Sequence, residues 1–362
     1  MSDEPELKMS TRQKVLNPLT VSWGLVLLSL GLLVGWLMLS EAPMDAPTEI
    51  ADTSNTEPAI NVAATPVQAV TETGPEIPDA VADPKSQLLA STQASLSAAP
   101  NPNLLIRSDN GMLPSLGPDG LVAWKEYARP YSGDEEKPRI AIMVTDIGLN
   151  GKGSNAAIDQ LPGQIDLAFS PYGRNLQNWM DKARSKGHEG FLMIPTEPLN
   201  YPESDPGPHT LLVDLSAREN INRLDWILSR VGGYVGVVNH MGSKFTASED
   251  AMNSVIEDLS GRGLMLVDAR STRFSLAART ARREGMPRAM NDRYIDNVLT
   301  SEEIKKQLTE LEKTAKTFGA ALGIARAIPL TINEISEWSL SLQDKGIELV
   351  PVTAIANRQP IK

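Results

Sequence analysis

These 362 residues contain no cysteine and only three histidines, His188, His209 and His240. The first absence excludes disulfides, thiolate metal sites and cysteine nucleophiles, so the core must hold the fold unaided. The second leaves a very short inventory for any metal centre or acid–base pair. Aromatic residues make up 5% of the chain. No basic stretch with interleaved aromatics points to nucleic acid. Basic residues are also missing over a long interval: after Lys14 the next is Lys85.

That interval holds an apolar run. No residue from Val15 to Ser40 is charged, and 21–39 (VSWGLVLLSLGLLVGWLML) is nearly all apolar. A helix of that length rises roughly 28 Å, enough to cross a bilayer core. Trp23 and Trp36 sit near its ends, and Lys8, Arg12 and Lys14 precede it. The positive-inside rule then puts residues 1–20 in the cytoplasm and the remainder outside. The expectation is a single-pass protein of the bacterial inner membrane with a periplasmic folded domain. The run is long for a signal-peptide core and no small-x-small site follows directly, so it reads as an uncleaved anchor.

Residues 40–104, rich in Ala, Pro, Thr and acids, read as a disordered linker. Residues 41–100 carry nine acids against one lysine, a net of −8 out of −11 for the chain. The acidity belongs mostly to a solvated tether with a root-mean-square span of about 45 Å. A lead-in (105–138) and a folded domain (139–358) complete the layout.

From Arg139 onward, apolar β-runs alternate with helical patterns. Strands are expected at 139–148, 165–171, 189–198, 233–241, 264–270, 319–328 and 347–355, with a less regular element at 288–296. Capping boxes Ser216-x-x-Glu219, Thr246-x-x-Glu249 and Thr300-x-x-Glu303 open helices between them. Segment 277–286 reads as a helix or a rim loop. Repeated βα units with continuous apolar strands imply a parallel sheet covered on both faces. Seven or eight units in about 225 residues suit a deformed (β/α) barrel of about seven strands. An open doubly wound sheet is the alternative. No glycine-rich phosphate cradle follows the first strand, which lowers a nucleotide-binding reading.

In a barrel, functional residues collect at the C-terminal strand ends. Here those ends read Thr145-Asp146, Ser170-Pro171-Tyr172, Thr196-Glu197, Asn239-His240, Asp268-Ala269-Arg270 and Ala325-Arg326. Each has a plain structural alternative: Asp146 as a helix cap, Asp268 paired with Arg270, His240 as a hydrogen-bonded core residue. His209, in the loop DPGPHTLL, is expected to face solvent, and His188 receives no role.

The stretches RIAIMVTDIGLN, SPYGRN, 194–212 (IPTEPLNYPESDPGPHTLL), NHMGSKFT, LVDARST and NDRYIDN resemble the divergent polysaccharide deacetylase family, relatives of the NodB-like carbohydrate esterases, over roughly Arg139 to Ala356. The resemblance implies metal-assisted removal of acetyl groups from glycans. There a divalent ion on one Asp and two His polarises the carbonyl and activates water, with a carboxylate base and a histidine acid.

Asp146 and His240 match metal-binding positions. Thr145 stands where the family's base would be, Lys244 where the second metal histidine would be in the classical relatives, and Arg326 where a late Gly-His-Pro histidine would be. The catalytic candidates are Asp146, His240 and Asp268. Thr145, Glu197, Asn239, Ser243, Lys244, Arg270 and Arg326 are candidate substrate contacts.

Three readings follow. One is a membrane-anchored envelope protein that binds polysaccharide or a peptidoglycan fragment with degenerate catalytic residues and no cofactor. A second is an active zinc-dependent deacetylase. The third is a membrane-tethered scaffold. In the first, Lys244 and Arg326 either attract an anionic group or neutralise Asp146, Asp268 or Glu197.

Overall fold

The computed structural model describes residues 83–361. The expected membrane span at 21–39 and most of the expected linker lie outside the described residues. Among those described, no helix is long and apolar enough to cross a membrane.

Regular structure begins earlier than the sequence suggests. Helix α1 (Pro84–Thr92) opens on Asp83, whose carboxylate accepts the backbone N–H groups of Lys85 and Ser86. A strap follows. Gln93 donates to Leu161 O at 3.0 Å, and Leu96 N donates to Arg184 O at 3.0 Å. The buried Arg184 guanidinium donates to Ser97 O and Tyr127 O, both at 2.9 Å. Residues 84–104 are thus part of the folded domain, which corrects the linker boundary at 104. The strap is held by main-chain carbonyls rather than by an apolar stripe, so periodicity did not reveal it. A hairpin of β1 (Leu105–Ser108) and β2 (Gly111–Pro114) and the short α2 (Ala123–Glu126) complete the lead-in.

The βα series is β3 (Arg139–Ile147), α3 (Gly151–Gln160), β4 (Asp166–Phe169), α4 (Leu176–Ser185), β5 (Gly190–Thr196), α5 (Ala217–Leu228), β6 (Gly236–Met241), α6 (Glu249–Gly261), β7 (Met265–Asp268) and α7 (Ala277–Arg283). It continues with β8 (Arg288–Met290), β9 (Arg293–Tyr294), α8 (Ser301–Phe318), β10 (Ala320–Arg326), α9 (Pro329–Leu340) and β11 (Glu348–Leu349). The sheet runs β8-β7-β6-β5-β4-β3-β10-β9, every pair parallel, with β11 beside the start of β3. Ile140 to Val144 are fully buried, as a strand covered on both faces requires.

The expected deformed barrel is met as a curled parallel half-barrel. Its two edge strands, β8 and β9, are separated by Asn291 and Asp292 alone. Asn291 N donates to Asp268 O on β7 and Asp292 N to Leu322 O on β10, both at 2.8 Å. One segment thus serves both edges.

The Ser216–Glu219 capping box is present as expected, and Thr300 caps α8, which Gly319 ends in a left-handed conformation. Two expectations are corrected. Ser248, not Thr246, caps α6, because the Thr246 hydroxyl donates back to Gly242 O at 2.7 Å. The strand expected at 347–355 is only β11, followed by a 3-10 turn at Val352–Ile355, where Val352 N donates to the buried carboxylate of Asp166 at 2.9 Å.

That carboxylate belongs to a buried acid pair at the N-terminal end of the sheet. Asp166 and Glu189 are both inaccessible and hydrogen-bond through their side chains. Asp166 Oδ1 has no donor to it, while Glu189 accepts from Arg129 N at 2.7 Å and from Thr353. A proton on Asp166, donated to Glu189, satisfies both groups. Burial, then the charge and hydrogen bond of Glu189, push the Asp166 carboxyl well up; burial also raises Glu189, against the hydrogen bonds it accepts from Asp166, Thr353 and Arg129 N. The folded state therefore holds protons that the unfolded chain releases above about pH 4. The pair's contribution is complete below that range and declines as pH rises through the elevated values. Asp166→Asn keeps a donor to Glu189 and an acceptor for Val352 N. It should raise the thermal midpoint at pH 8 and flatten its dependence between pH 5 and 8, measured by circular dichroism. An unchanged slope would count against the shared proton.

Candidate functional site

A cleft of about 690 Å³ opens at the C-terminal rim of the sheet. It is lined from β3 by Thr145 and Asp146, from β6 by Asn239, His240 and Met241, and from β10 by Ala325 and Arg326. Arg270 and Ser271 line it from beyond β7, and Tyr294 and Asp296 from the segment around β9.

The strands end abruptly there. Asp146, Met241 and Arg270 have φ of 67°, 56° and 49°, left-handed conformations that are costly for residues with a Cβ. At Asp146 the pairing of β3 with β4 also shifts register, and the freed Asp146 N–H points at Met193 Sδ, 3.3 Å away. A bulge of this kind re-aims a side chain at the end of a strand. Strain at three strand ends around one cleft is held by the surrounding fold, a pattern typical of functional sites.

Asp146 and His240 face one another's charge. Burial pushes the Asp146 carboxyl up, while His240 and Arg326 oppose the shift. Burial lowers His240, and Asp146 opposes that. Both shifts favour an uncharged acid and a neutral imidazole, and mutual attraction favours the ion pair. Thr145 Oγ1 donates to Ala325 O at 3.1 Å and lies 3.4 Å from Asp146 Oδ2. A threonine hydroxyl is no base near neutral pH.

Asp296, missed in the sequence reading, is buried beside this pair. Its Oδ2 accepts from Arg326 N at 3.1 Å, Arg326 Nε at 3.4 Å and Thr331 Oγ1 at 3.1 Å, while Arg326 Nη2 donates to Asp296 O at 2.6 Å. Arg326 is therefore clamped to Asp296, a partner not anticipated for it. The signal was present: Asp296 lies two residues past the strand that ends at Tyr294, inside NDRYIDN, but that element is irregular.

Three sequence candidates do not line the cleft. Lys244 Nζ is 2.7 Å from Glu197 Oε1 and 3.3 Å from Asp214 Oδ2, the neutralising role that was the alternative for it. Glu197 Oε2 accepts Val213 N at 2.7 Å, so this buried carboxylate stitches the loop after β5 to the turn after β6. Asp268 is buried and accepts from Arg270 N and Ser275 Oγ at 2.8 Å and Ala278 N at 3.3 Å, fixing the turn into α7. Neighbouring strand residues face opposite sides, and strand-end position alone does not tell which.

Asn239 lines the cleft and also braces it. Its Oδ1 accepts Ala269 N at 2.8 Å and its Nδ2 donates to Met241 O at 2.9 Å. Ser243 Oγ accepts Leu199 N at 3.0 Å, tying in the loop that carries Pro198 and Asn200.

His209 is half-buried rather than facing solvent freely as expected. Its ring stacks on Trp226 with centroids 3.5 Å apart, and its backbone N–H donates to Tyr172 Oη at 3.1 Å. His188 is buried between Ile165 O and Ile158 O, consistent with no role in the cleft.

A catalytic zinc normally takes three protein ligands and keeps an open position. Asp146 and His240 are two, and the Asp296 carboxylate is committed to Arg326 and Thr331. Among the described residues no group of three or more His, Cys, Asp or Glu side chains is placed to hold a metal. The donor set does not fit the metal that the resemblance implies.

The family model of the divergent polysaccharide deacetylases matches residues 142–356. The chain belongs to that family. It is 24% identical over 223 residues to the uncharacterized protein YibQ of Escherichia coli, covering 62% of this chain and 69% of that one. An uncharacterized protein of Haemophilus influenzae is 25% identical over 194 residues, covering 54% and 68%. A crystal structure of an uncharacterized Agrobacterium tumefaciens protein is 40% identical, with a TM-score of 0.66 over 68% of this chain and 99% of that one. The catalytic domain of a peptidoglycan N-acetylglucosamine deacetylase from Eubacterium rectale superposes with a TM-score of 0.41 at 12% identity, covering 65% and 97%.

With three histidines, imidazole titration by NMR is directly assignable. His240 should titrate below the ordinary value of about 6.5. Asp146→Asn, which removes the charge favouring the imidazolium, should move it lower still. Lys244→Met should lower the thermal midpoint without moving the His240 titration. A His240 titration insensitive to Asp146→Asn would show that the two do not interact.

Proposed function

We propose that the domain binds an envelope polysaccharide, of the peptidoglycan class, in the cleft around Asp146 and His240, without metal-dependent turnover. Family membership supports a carbohydrate ligand. One observation carries the loss of turnover: among the described residues Asp146 and His240 stand without a third ligand, and Arg326, at the matching place of a family histidine, is bound to Asp296. The position expected of the catalytic base is Thr145, whose hydroxyl is engaged with Ala325 O.

The remaining polar groups suit recognition. Arg270, Tyr294, Asn239 and the Asp146–His240 pair converge on one concave surface, the arrangement that orients a sugar by hydrogen bonds. The apolar run at 21–39, with Lys8, Arg12 and Lys14 before it, supports tethering at the inner membrane with the domain in the periplasm. The acidic segment after it would give the domain reach toward the glycan layer.

The test is calorimetric titration of the full chain with N-acetylated chito-oligosaccharides, together with acetate release in the presence of zinc, cobalt or manganese. Saturable binding that weakens about tenfold or more in His240→Ala, without acetate release under any metal, is the expected result. Acetate release with stoichiometric zinc, lost in His240→Ala, would restore the deacetylase reading. Absence of any glycan binding would leave the tethered scaffold.

A further inference from the structure

The chain is acidic, yet its residues 269–283 contain Arg270, Arg273, Arg279, Arg282 and Arg283 and no acid. Three of these arginines face one place. Arg270, Arg273 and Arg279 line a small concavity on the outer side of the turn that joins β7 to α7, together with Thr272 and Ser275. Arg270 also lines the main cleft, so the two depressions share a wall.

The three guanidinium groups form no hydrogen bond or ion pair among the described residues, unlike Arg283, which is 3.1 Å from Glu249. Arg273 and Arg279 are exposed, and Arg273 lies over the ring of Phe274, 4.6 Å from its centroid. One carboxylate, Asp268, also borders the concavity. Its oxygens are taken by Arg270 N, Ser275 Oγ and Ala278 N; the charge of Arg270 acts on it through space, with no direct ion pair to the three arginines. Three like charges gathered around one hollow repel one another, and an anion there relieves that repulsion. The guanidinium fork is also the group that best matches a carboxylate or phosphate in two-point contact.

We infer that Arg270, Arg273 and Arg279 form a second subsite, continuous with the cleft, that takes the acidic groups of an anionic glycan while a neighbouring sugar occupies the cleft. The inference rests on the proposed glycan binding and narrows it to a carboxylate- or phosphate-bearing polymer. Arg270 is the hinge between the two subsites. Its left-handed backbone, at the turn fixed by Asp268, sets its side chain on the wall that both depressions share.

The test titrates the full chain with three probes: chitotetraose, which is neutral; tetragalacturonate, which carries four carboxylates; and glycerophosphoglycerol, a phospholipid headgroup without its chains. Tetragalacturonate should bind more tightly than chitotetraose at low salt, and its affinity should fall as salt rises. The double variant Arg273→Gln/Arg279→Gln, which leaves the main cleft lining intact, should weaken tetragalacturonate about tenfold and leave chitotetraose unchanged. Equal affinity of the variant and the parent for tetragalacturonate would overturn the inference while leaving glycan binding in place. Loss confined to glycerophosphoglycerol would also overturn it, assigning the patch to a lipid surface. Failure of the parent to bind either oligosaccharide would remove both this inference and the reading beneath it.

Discussion

The geometry of the cleft depends on one constraint: residues 288–296 must serve two strands that do not pair with each other. Arg288 to Met290 hydrogen-bond along β7 and Arg293 to Tyr294 along β10, with two residues between. Strand spacing in a sheet is about 4.8 Å, so the segment reaches both edges only if the sheet curls until they approach. The crossing is itself tied down. Gln359 donates to Met290 O and Asp292 Oδ2 and accepts Met290 N, all near 2.6–2.7 Å. Past the crossing, the same segment delivers Tyr294 and Asp296 to the cleft and so decides where Arg326 can go.

Curling brings the C-terminal ends of β3, β6, β7 and β10 around a common hollow, but each strand must then leave the rim sharply. Asp146, Met241 and Arg270 take left-handed conformations to do so. Glycine would be easier there, as at the adjacent Gly148 and Gly242. Keeping side chains at these three positions costs stability and places a carboxylate, a thioether and a guanidinium on the cleft wall. The outer side of the rim carries the compensating bonds. Asn239 clamps β6 to the residue after β7, Asp268 fixes the turn into α7, and Glu197 with Lys244 joins two loops. These polar residues hold the rim in shape and do not line the cleft, Asn239 excepted.

This division explains how much the sequence disclosed. The alternation of strands with helices was legible, as were most of the strands apart from that expected at 347–355, because buried parallel strands read as unbroken apolar runs bounded by polar residues. Thr145, Asp146, Asn239, His240, Ser243, Arg270 and Arg326 all line the cleft. Glu197, Lys244 and Asp268 sit at equivalent sequence positions and turn away, since a strand end is as good a place for a brace as for a ligand contact. Asp296 and Tyr294 were hidden in a segment whose pairing changes midway and which therefore has no steady period. The strap at 93–101 escaped for another reason: its attachment is through carbonyls, which every residue possesses, and the buried Arg184 that binds it lies nearly ninety residues further on.

Under the proposed reading, an arginine at position 326, where the resemblance implies a histidine, has an electrostatic consequence that favours binding over hydrolysis. A metal supplies two positive charges to the acids around it. Without one, the half-buried Asp146 and the buried Asp296 would be two neighbouring carboxylates, and the charge of Asp296 pushes the Asp146 carboxyl up. Arg326 relieves both: it bonds Asp296 directly and lowers Asp146 through space. A fixed guanidinium balances charge as a metal would, but it cannot acidify a water molecule or expand its coordination around a tetrahedral intermediate. Under the proposed reading the site keeps the charge balance and the shape of a hydrolase cleft while losing the group that would generate the nucleophile. Under the same reading Arg326 settles the acids within the cleft, and Arg270, which forms no ion pair among the described residues and lines both depressions, is the guanidinium placed to meet the charge of a bound polymer.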